Sequence, residues 1–411
     1  MKKSLCLGCL FLLQLNSALG VADTVEDELK LVKEKLKALE ANAKKSSRAV
    51  QRTDKTLAAI KDRLTINGFM SAGAVKGEDD VQAGLEGTGT ALTEEIDFTT
   101  DSFIALQFDY KLDDDLHVIT QLAAAGPSRF ETKAEWAFLK YRINDSFYIR
   151  AGRFRLPFYA YSETLEVGIA YPWARPPLEV YSKEVTSYEG VDFLYRVYTG
   201  DLGHSFQLGY GTLRQDLFSV DGAILFNWVV DYQNWSFRVS HNKADTKASS
   251  PIGIIEIKDL SYSAISMFYD NGKLLSSFET NVLDMNSGPI NTFVAGYLMV
   301  GYRIDKFTPH ITYSHKYTTE KNPDPLMPVA AVAPREVGGF GLTSAELNYQ
   351  GLALGVRYDI KSNMAIKFDI NYYSKFQKDA NGVLTGNFGN FVPTSENDSL
   401  TVYTVMVDLS F

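Results

Sequence analysis

From Leu64 to Phe411 apolar residues recur at every second position, interrupted at intervals by turn residues. A period of two sends alternate side chains to opposite faces of a strand. Sixteen such segments can be marked, at about 64–75, 100–112, 115–125, 133–143, 146–155, 187–199, 203–213, 221–232, 234–242, 260–270, 273–284, 291–303, 307–316, 346–360, 363–375 and 400–411. In one, Ile104, Leu106, Phe108 and Tyr110 face away from Gln107 and Asp109. In another, Met364, Ile366, Phe368, Ile370 and Tyr372 oppose Lys367, Asp369 and Asn371. In a third, Leu352, Leu354, Val356 and Tyr358 oppose Gly351, Gly355, Arg357 and Asp359.

The connections alternate in length. Asp113-Asp114-Asp115, Asn144-Asp145, Gly200-Asp201, Gln233-Asn234, Asn271-Gly272, Asp305-Lys306 and Lys361-Ser362-Asn363 are short turns. Between them lie long connections at 76–99, 156–186, 243–259, 317–345 and 376–399. A soluble β-sandwich also alternates. An even strand number with short turns on one side and long loops on the other predicts an all-β fold, a 16-stranded antiparallel transmembrane β-barrel. Lipid offers the backbone no hydrogen-bond partner, so spanning strands must close on themselves.

Ahead of the barrel the period is different. Over residues 25–64 a 4-3 spacing holds without a break, with Leu29, Leu36, Ala43, Val50, Leu57 and Leu64 at a, and Val25, Val32, Leu39, Ser46, Thr53 and Ile60 at d. A sustained period of 3.5 with Lys and Glu on the other faces predicts an α-helical coiled coil. Leu29, Val32, Leu36, Leu39, Val50, Leu57, Ile60 and Leu64 are its apolar seam. Leu at a with β-branched residues at d leans towards three or four strands, and Ala43, Ser46 and Thr53 weaken the middle. A lone amphipathic helix docked on a domain is the alternative.

At the very start, Lys2 and Lys3, the apolar stretch Leu5–Leu15 and the small residues Ser17-Ala18-Leu19-Gly20 read as a secretory signal peptide over 1–20, cleaved after Gly20 or after Ala22. Residues 21–63 are then the coil and 64–411 the barrel. Both cysteines, Cys6 and Cys9, fall in the leader, so the exported chain is expected to carry no thiol, disulfide or cysteine-bound metal. Loss of Lys2 and Lys3 takes the formal charge from −9 to −11, which argues against nucleic-acid binding. After residue 20 there is no run of ~18 apolar residues, so no transmembrane helix is available.

The last strand is the most specific feature. Tyr403, Val405, Val407, Leu409 and the terminal Phe411 share one face, and Thr404, Asp408 and Ser410 the other. This end resembles the C-terminal strand of Gram-negative porins, whose terminal aromatic is read by the barrel-assembly machinery. That resemblance makes Phe411 and Tyr403 an assembly signal; a girdle role at the membrane interface is compatible with it. From residue 21 to 411 the chain resembles the 16-stranded porin superfamily. The leading coil makes it most similar to the DcaP-like, coiled-coil-led trimeric porins, and more loosely to the phosphate-selective O/P type.

The resemblance implies an outer-membrane homotrimer with its coil in the periplasm. Its partners would be outer-membrane lipid, lipopolysaccharide, the assembly machinery and, through the coil, peptidoglycan. It also implies that Arg150–Tyr159 and Tyr171–Tyr181 belong to a constriction loop, about 156–186, that folds into the barrel. A trimer contact or a surface loop is the other reading of this stretch.

A 16-stranded barrel is too wide to fill with side chains, so it holds water and passes small polar solutes passively. Its selectivity resides in charges at the narrowest point. The candidates are Lys140 with Arg142, Arg196 with Asp192, and Arg150, Arg153 and Arg155 at a strand-loop junction. Arg238, Arg303 and Arg357 belong with Lys140, Arg142, Arg196 and Asp192 as charges on one face of their strands. On the loop, Glu163, Glu166, Glu179 and Glu184 accompany Arg175 and Lys183. Arg150 and Arg153 have opposite parity, so both face the lumen only if the strand bulges. A wall of Arg against acidic loop groups would set a field across the pore. A selective anion or dicarboxylate channel requires a continuous Arg/Lys ladder, and an envelope tether is the reading from another class.

An enzyme is not expected. His117, His204, His241, His310 and His315 sit in no catalytic motif, and no metal-binding motif or cofactor loop occurs. The acidic clusters Glu78-Asp79-Asp80 and Asp113-Asp114-Asp115 read as solvated turns.

Overall fold

The computed structural model describes residues 27, 29–52, 61–78, 81–84, 91–92, 94–181, 186–215, 218–250, 253–284, 292–320, 348–374 and 399–411. The proposed leader, the seam residues Leu57 and Ile60, and the loop charges Lys183 and Glu184 lie outside them. The chain divides into two units, Met1–Leu64 and Thr65–Phe411.

In the first unit residues 29–52 form one helix, α1. Among the described residues its apolar seam is open: Leu29, Val32, Leu36, Leu39 and Val50 are 52–68% exposed.

The second unit is a closed antiparallel barrel of sixteen strands. Its first strand is β1 (Leu64–Gly77). A small two-stranded sheet, β2 (Val81–Gly84) with β3 (Ala91–Leu92), follows in the first connection. Then come β4 (Phe103–Lys111), β5 (Leu116–Ala125), β6 (Thr132–Arg142), β7 (Phe147–Arg155), β8 (Ser187–Thr199), β9 (Leu202–Gln215), β10 (Phe218–Tyr232) and β11 (Trp235–Ser250). The circuit continues through β12 (Gly253–Asp270), β13 (Leu274–Asp284), β14 (Thr292–Tyr302), β15 (Phe307–Glu320), β16 (Asn348–Lys361), β17 (Met364–Ser374) and β18 (Ser399–Ser410). Neighbours in sequence are neighbours in space, and β1 pairs with β18, from Phe69 opposite Ser410 to Gly77 opposite Val402.

Alternation explains the wall. On β17, Ala365, Lys367, Asp369 and Tyr373 are buried inside, whereas Ile366, Phe368 and Tyr372 are about two-fifths exposed outside. Soluble cores do the reverse. Apolar groups left outside and charges turned inside suit a cylinder whose solvent is lipid. Towards the short-turn end the outer face carries aromatic rings in register: Phe206 stacks on Trp228 with planes 3° apart, Trp235 meets Tyr269 at 4.5 Å and Phe307 meets Tyr358 at 4.7 Å. Such rings belong at a membrane interface.

One expectation is corrected. Residues 243–250 and 253–259 are not loop. They are the upper parts of β11 and β12, which pair from Trp235 opposite Tyr269 to Ser250 opposite Gly253, with a bulge between Ala244 and Thr246. Strands β9 to β12 therefore form a tall wall, in contrast to the short β4 and β7.

Candidate pore and its loop

The connection after β7 crosses the interior of the barrel and packs on its far wall. Phe158, Tyr159, Tyr161, Tyr171, Trp173 and Tyr181 cluster with Tyr262 and Ala264 of β12 and with Ala295, Tyr297 and Met299 of β14. The Trp173 indole donates to the Thr312 hydroxyl on β15, 2.8 Å away. Pro and aromatic residues make this segment stiff and give it enough apolar surface to leave the rim.

An inward loop carries polar backbone with it, and buried backbone groups must be satisfied. Wall charges do this. Arg238 of β11 donates to the carbonyls of Pro157 (2.8 Å) and Ala160 (3.1 Å), and the Ala160 amide donates to Glu279 of β13 (3.0 Å). Arg357 of β16 donates to the carbonyls of Ile169 and Tyr171, at 2.8 and 3.1 Å. Lys367 of β17 donates to the carbonyls of Gly168 (2.6 Å) and Trp173 (2.7 Å) and pairs with Asp408 of β18 at 2.7 Å. Asp408 also accepts from Ser71 of β1, and Asp369 accepts from the Ala174 amide. Gly168 is required here, because a Cβ would stand 2.0 Å from the Asp408 carboxylate.

Arg175, further along the loop, is buried against Asp101, ahead of β4. In the same approach to β4, burial alone would raise the Asp97 carboxyl. The hydroxyls of Thr100 and Thr99 and the Thr99 amide outweigh it and hold Asp97 below the usual carboxylate range.

The opposite wall, β4 to β8, keeps its own charges. One register row on the inner face reads Lys111, His117, Lys140, Arg150 and Asp192, each directly across from the next. Arg150 makes a bidentate pair with Asp192, at 2.9 and 2.5 Å, and its guanidinium lies over the Phe138 and Phe154 rings. Gln207 adds a third hydrogen bond to Asp192, at 2.7 Å. From the loop, Glu163 reaches Arg150 at 3.4 Å, so loop and wall meet at this point. Arg196, two turns of alternation below Asp192, is exposed towards the short-turn mouth.

The other sequence candidates lie elsewhere. Arg153 sits directly opposite Glu189 and Ala137, on the face that also carries Val191 and Phe193, and it pairs with Glu189. Strand parity turns it away from Arg150, so it does not share the inner row. Arg155 is buried between Glu135 and Glu166 and fastens the start of the loop. Arg142 pairs with Asp115 at the short-turn rim. Glu179 is buried at the far wall beside Gly351 and Ser314. Lys367, Asp369, Glu279 and Asp408 were not among the site candidates. Their only sequence signal is charge on the inward face of otherwise apolar strands.

No family model and no curated protein matches the chain. Solved structures do resemble it. The anion-selective porin of Comamonas acidovorans is 13% identical, with TM-score 0.54 over 85% of this chain and 99% of that one. The outer membrane channel DcaP of Acinetobacter baumannii is 11% identical, with TM-score 0.54 over 85% and 97%. A trimer form of the outer membrane protein OmpT of Vibrio cholerae is 13% identical, with TM-score 0.52 over 85% and 99%. The shared feature is the fold: this chain has the barrel of the outer-membrane porins.

Proposed function

We propose that the protein is an outer-membrane porin through which small hydrophilic solutes and ions diffuse passively. The observation that carries this reading is the inward loop, which narrows a water-wide cylinder without being cut off from its charged wall. The constriction is then formed by Lys140, Arg150 and Asp192 on the wall and Glu163 on the loop, with Arg196 lining its approach from the short-turn mouth. No covalent step is involved. Residues 1–20, with cleavage after Gly20 or Ala22, serve as the export signal. Phe411 and Tyr403 present the assembly signal, and the greasy outer face meets lipid and lipopolysaccharide. In planar bilayers the purified mature protein is expected to insert with conductance steps in threes. A protein that inserts without conducting would overturn the assignment.

Residues 21–63 are read as a periplasmic trimeric coiled coil. The exposed seam of α1 supports this, since an apolar stripe in water is stabilised by burial against copies of itself. Leu36→Asp with Leu39→Asp is expected to convert trimers to monomers on native gels while single-barrel conductance persists. If trimers survive and the envelope loosens instead, contact with the cell wall becomes the better account of this segment.

A second reading, preference for anions, is favoured by the register row Lys111–His117–Lys140–Arg150. Three cations and a histidine share this inner row, and Lys140 in its middle forms no ion pair among the described residues, so the row leaves a net positive charge on that side of the pore.

A further inference from the structure

The charges of that row are not equivalent. Arg150 is consumed by Asp192, which grips it at both nitrogens, and by Glu163. Asp109, the carboxylate next along the inner face of β4, is taken by His117 Nδ1 at 2.7 Å. Lys111 is taken by Asp114 at 2.7 Å. Between them stands Lys140, with inner neighbours His117 on β5 and Arg150 on β7. Among the described residues it forms no ion pair, and its ammonium rests 4.8 Å over the Tyr148 ring. A ring face attracts a cation without neutralising it. Lys140 is therefore the cation of this row without a carboxylate partner, directly across from the Arg150 that Glu163 reaches.

We propose that Lys140 is the residue that sets the charge preference of the pore, and that Arg150 is a scaffold charge that fixes the loop tip and carries little selectivity. A passing anion exchanges part of its hydration for the Lys140 ammonium, which rests over the Tyr148 ring. The proposal rests on the anion-preferring reading above and identifies the group responsible for it.

The test is reversal potential across a potassium chloride gradient in planar bilayers. The wild type is expected to favour chloride, Lys140→Gln to bring the chloride-to-potassium permeability ratio down to about one, and Lys140→Arg to restore it. Beyond residue 20 the chain has no cysteine, so Lys140→Cys provides a second arm. Modification with a cationic methanethiosulfonate should return the preference, and an anionic reagent should invert it. A wild type with no chloride preference overturns the anion reading and this proposal with it. A chloride-selective wild type whose ratio is unmoved in Lys140→Gln and in both modified forms overturns the proposal alone.

Discussion

Lys367→Met is expected to undock the loop, with a thermal transition well below the wild type and an enlarged, noisy single-channel conductance. The Lys367 ammonium is fully buried and has three partners: the carbonyls of Gly168 and Trp173 and the Asp408 carboxylate. Methionine fills the volume but removes every donor. Two loop carbonyls and one carboxylate then remain inside without their partner, and breaking a buried pair in this way costs roughly 3–5 kcal/mol. The double variant Lys367→Met, Asp408→Asn is expected to lose less than the sum of the single changes, because the stranded charge is gone. Equal conductance and melting temperature in the single variant would show that the aromatic cluster and the other wall contacts hold the loop without Lys367.

Gly152→Val is expected to yield no heat-resistant barrel at all. Gly152 has φ +136°, a conformation side chains rarely adopt, and a Cβ there would stand 2.3 Å from the Ala137 carbonyl oxygen and 2.7 Å from Phe138 Cα. Both are backbone atoms of the adjoining strand and cannot swing aside. Strain of about 1–3 kcal/mol is added to a contact that forces β6 and β7 apart. Opening this pair unzips Ala137 from Arg153 and Phe138 from residue 152, immediately above the Lys140–Arg150 pairing. Heat-modifiable migration on gels in mild detergent reads the outcome directly. A normally folded Gly152→Val barrel would mean that β7 relaxes more freely than the geometry allows.

The strands were legible because the period of two is imposed by lipid on one side and water on the other. Where that contrast ends, the signal ends as well. At the top of β11 and β12 the outward residues are Lys243, Asp245 and Lys247, and the inward ones include Asn242 and Thr246. The outward row is charged and exposed, and the inward row is polar although buried, so no apolar stripe marks β11 there, and the segment reads as a loop. The inward course of the loop over 156–186 was implied by the porin resemblance, and its Pro and aromatic content agrees with a stiff, packed segment.

Its fastenings were not legible. A lysine that binds backbone carbonyls, as Lys367 does, has no partner that composition can disclose. Arg153 shows the same limit in another form. Whether it faces the lumen is a question of parity relative to Arg150, and Gly152 between them left room for a bulge. Glu189 directly across the ladder settles its side.

The fastening of the loop also fixes an order of events in biogenesis. Ser71 and Asp408, the hydroxyl and carboxylate around Lys367, are 337 positions apart and come together only when the two ends of the circuit join. Ring closure across so long a separation is a late, slow event. Until then the floor beneath Gly168 lacks Ser71, although Lys367 and Arg357 already offer their donors to the loop. The sealed seam thus completes the site on which the loop rests. Protease protection of the loop, followed over time, becomes a clock for completed insertion.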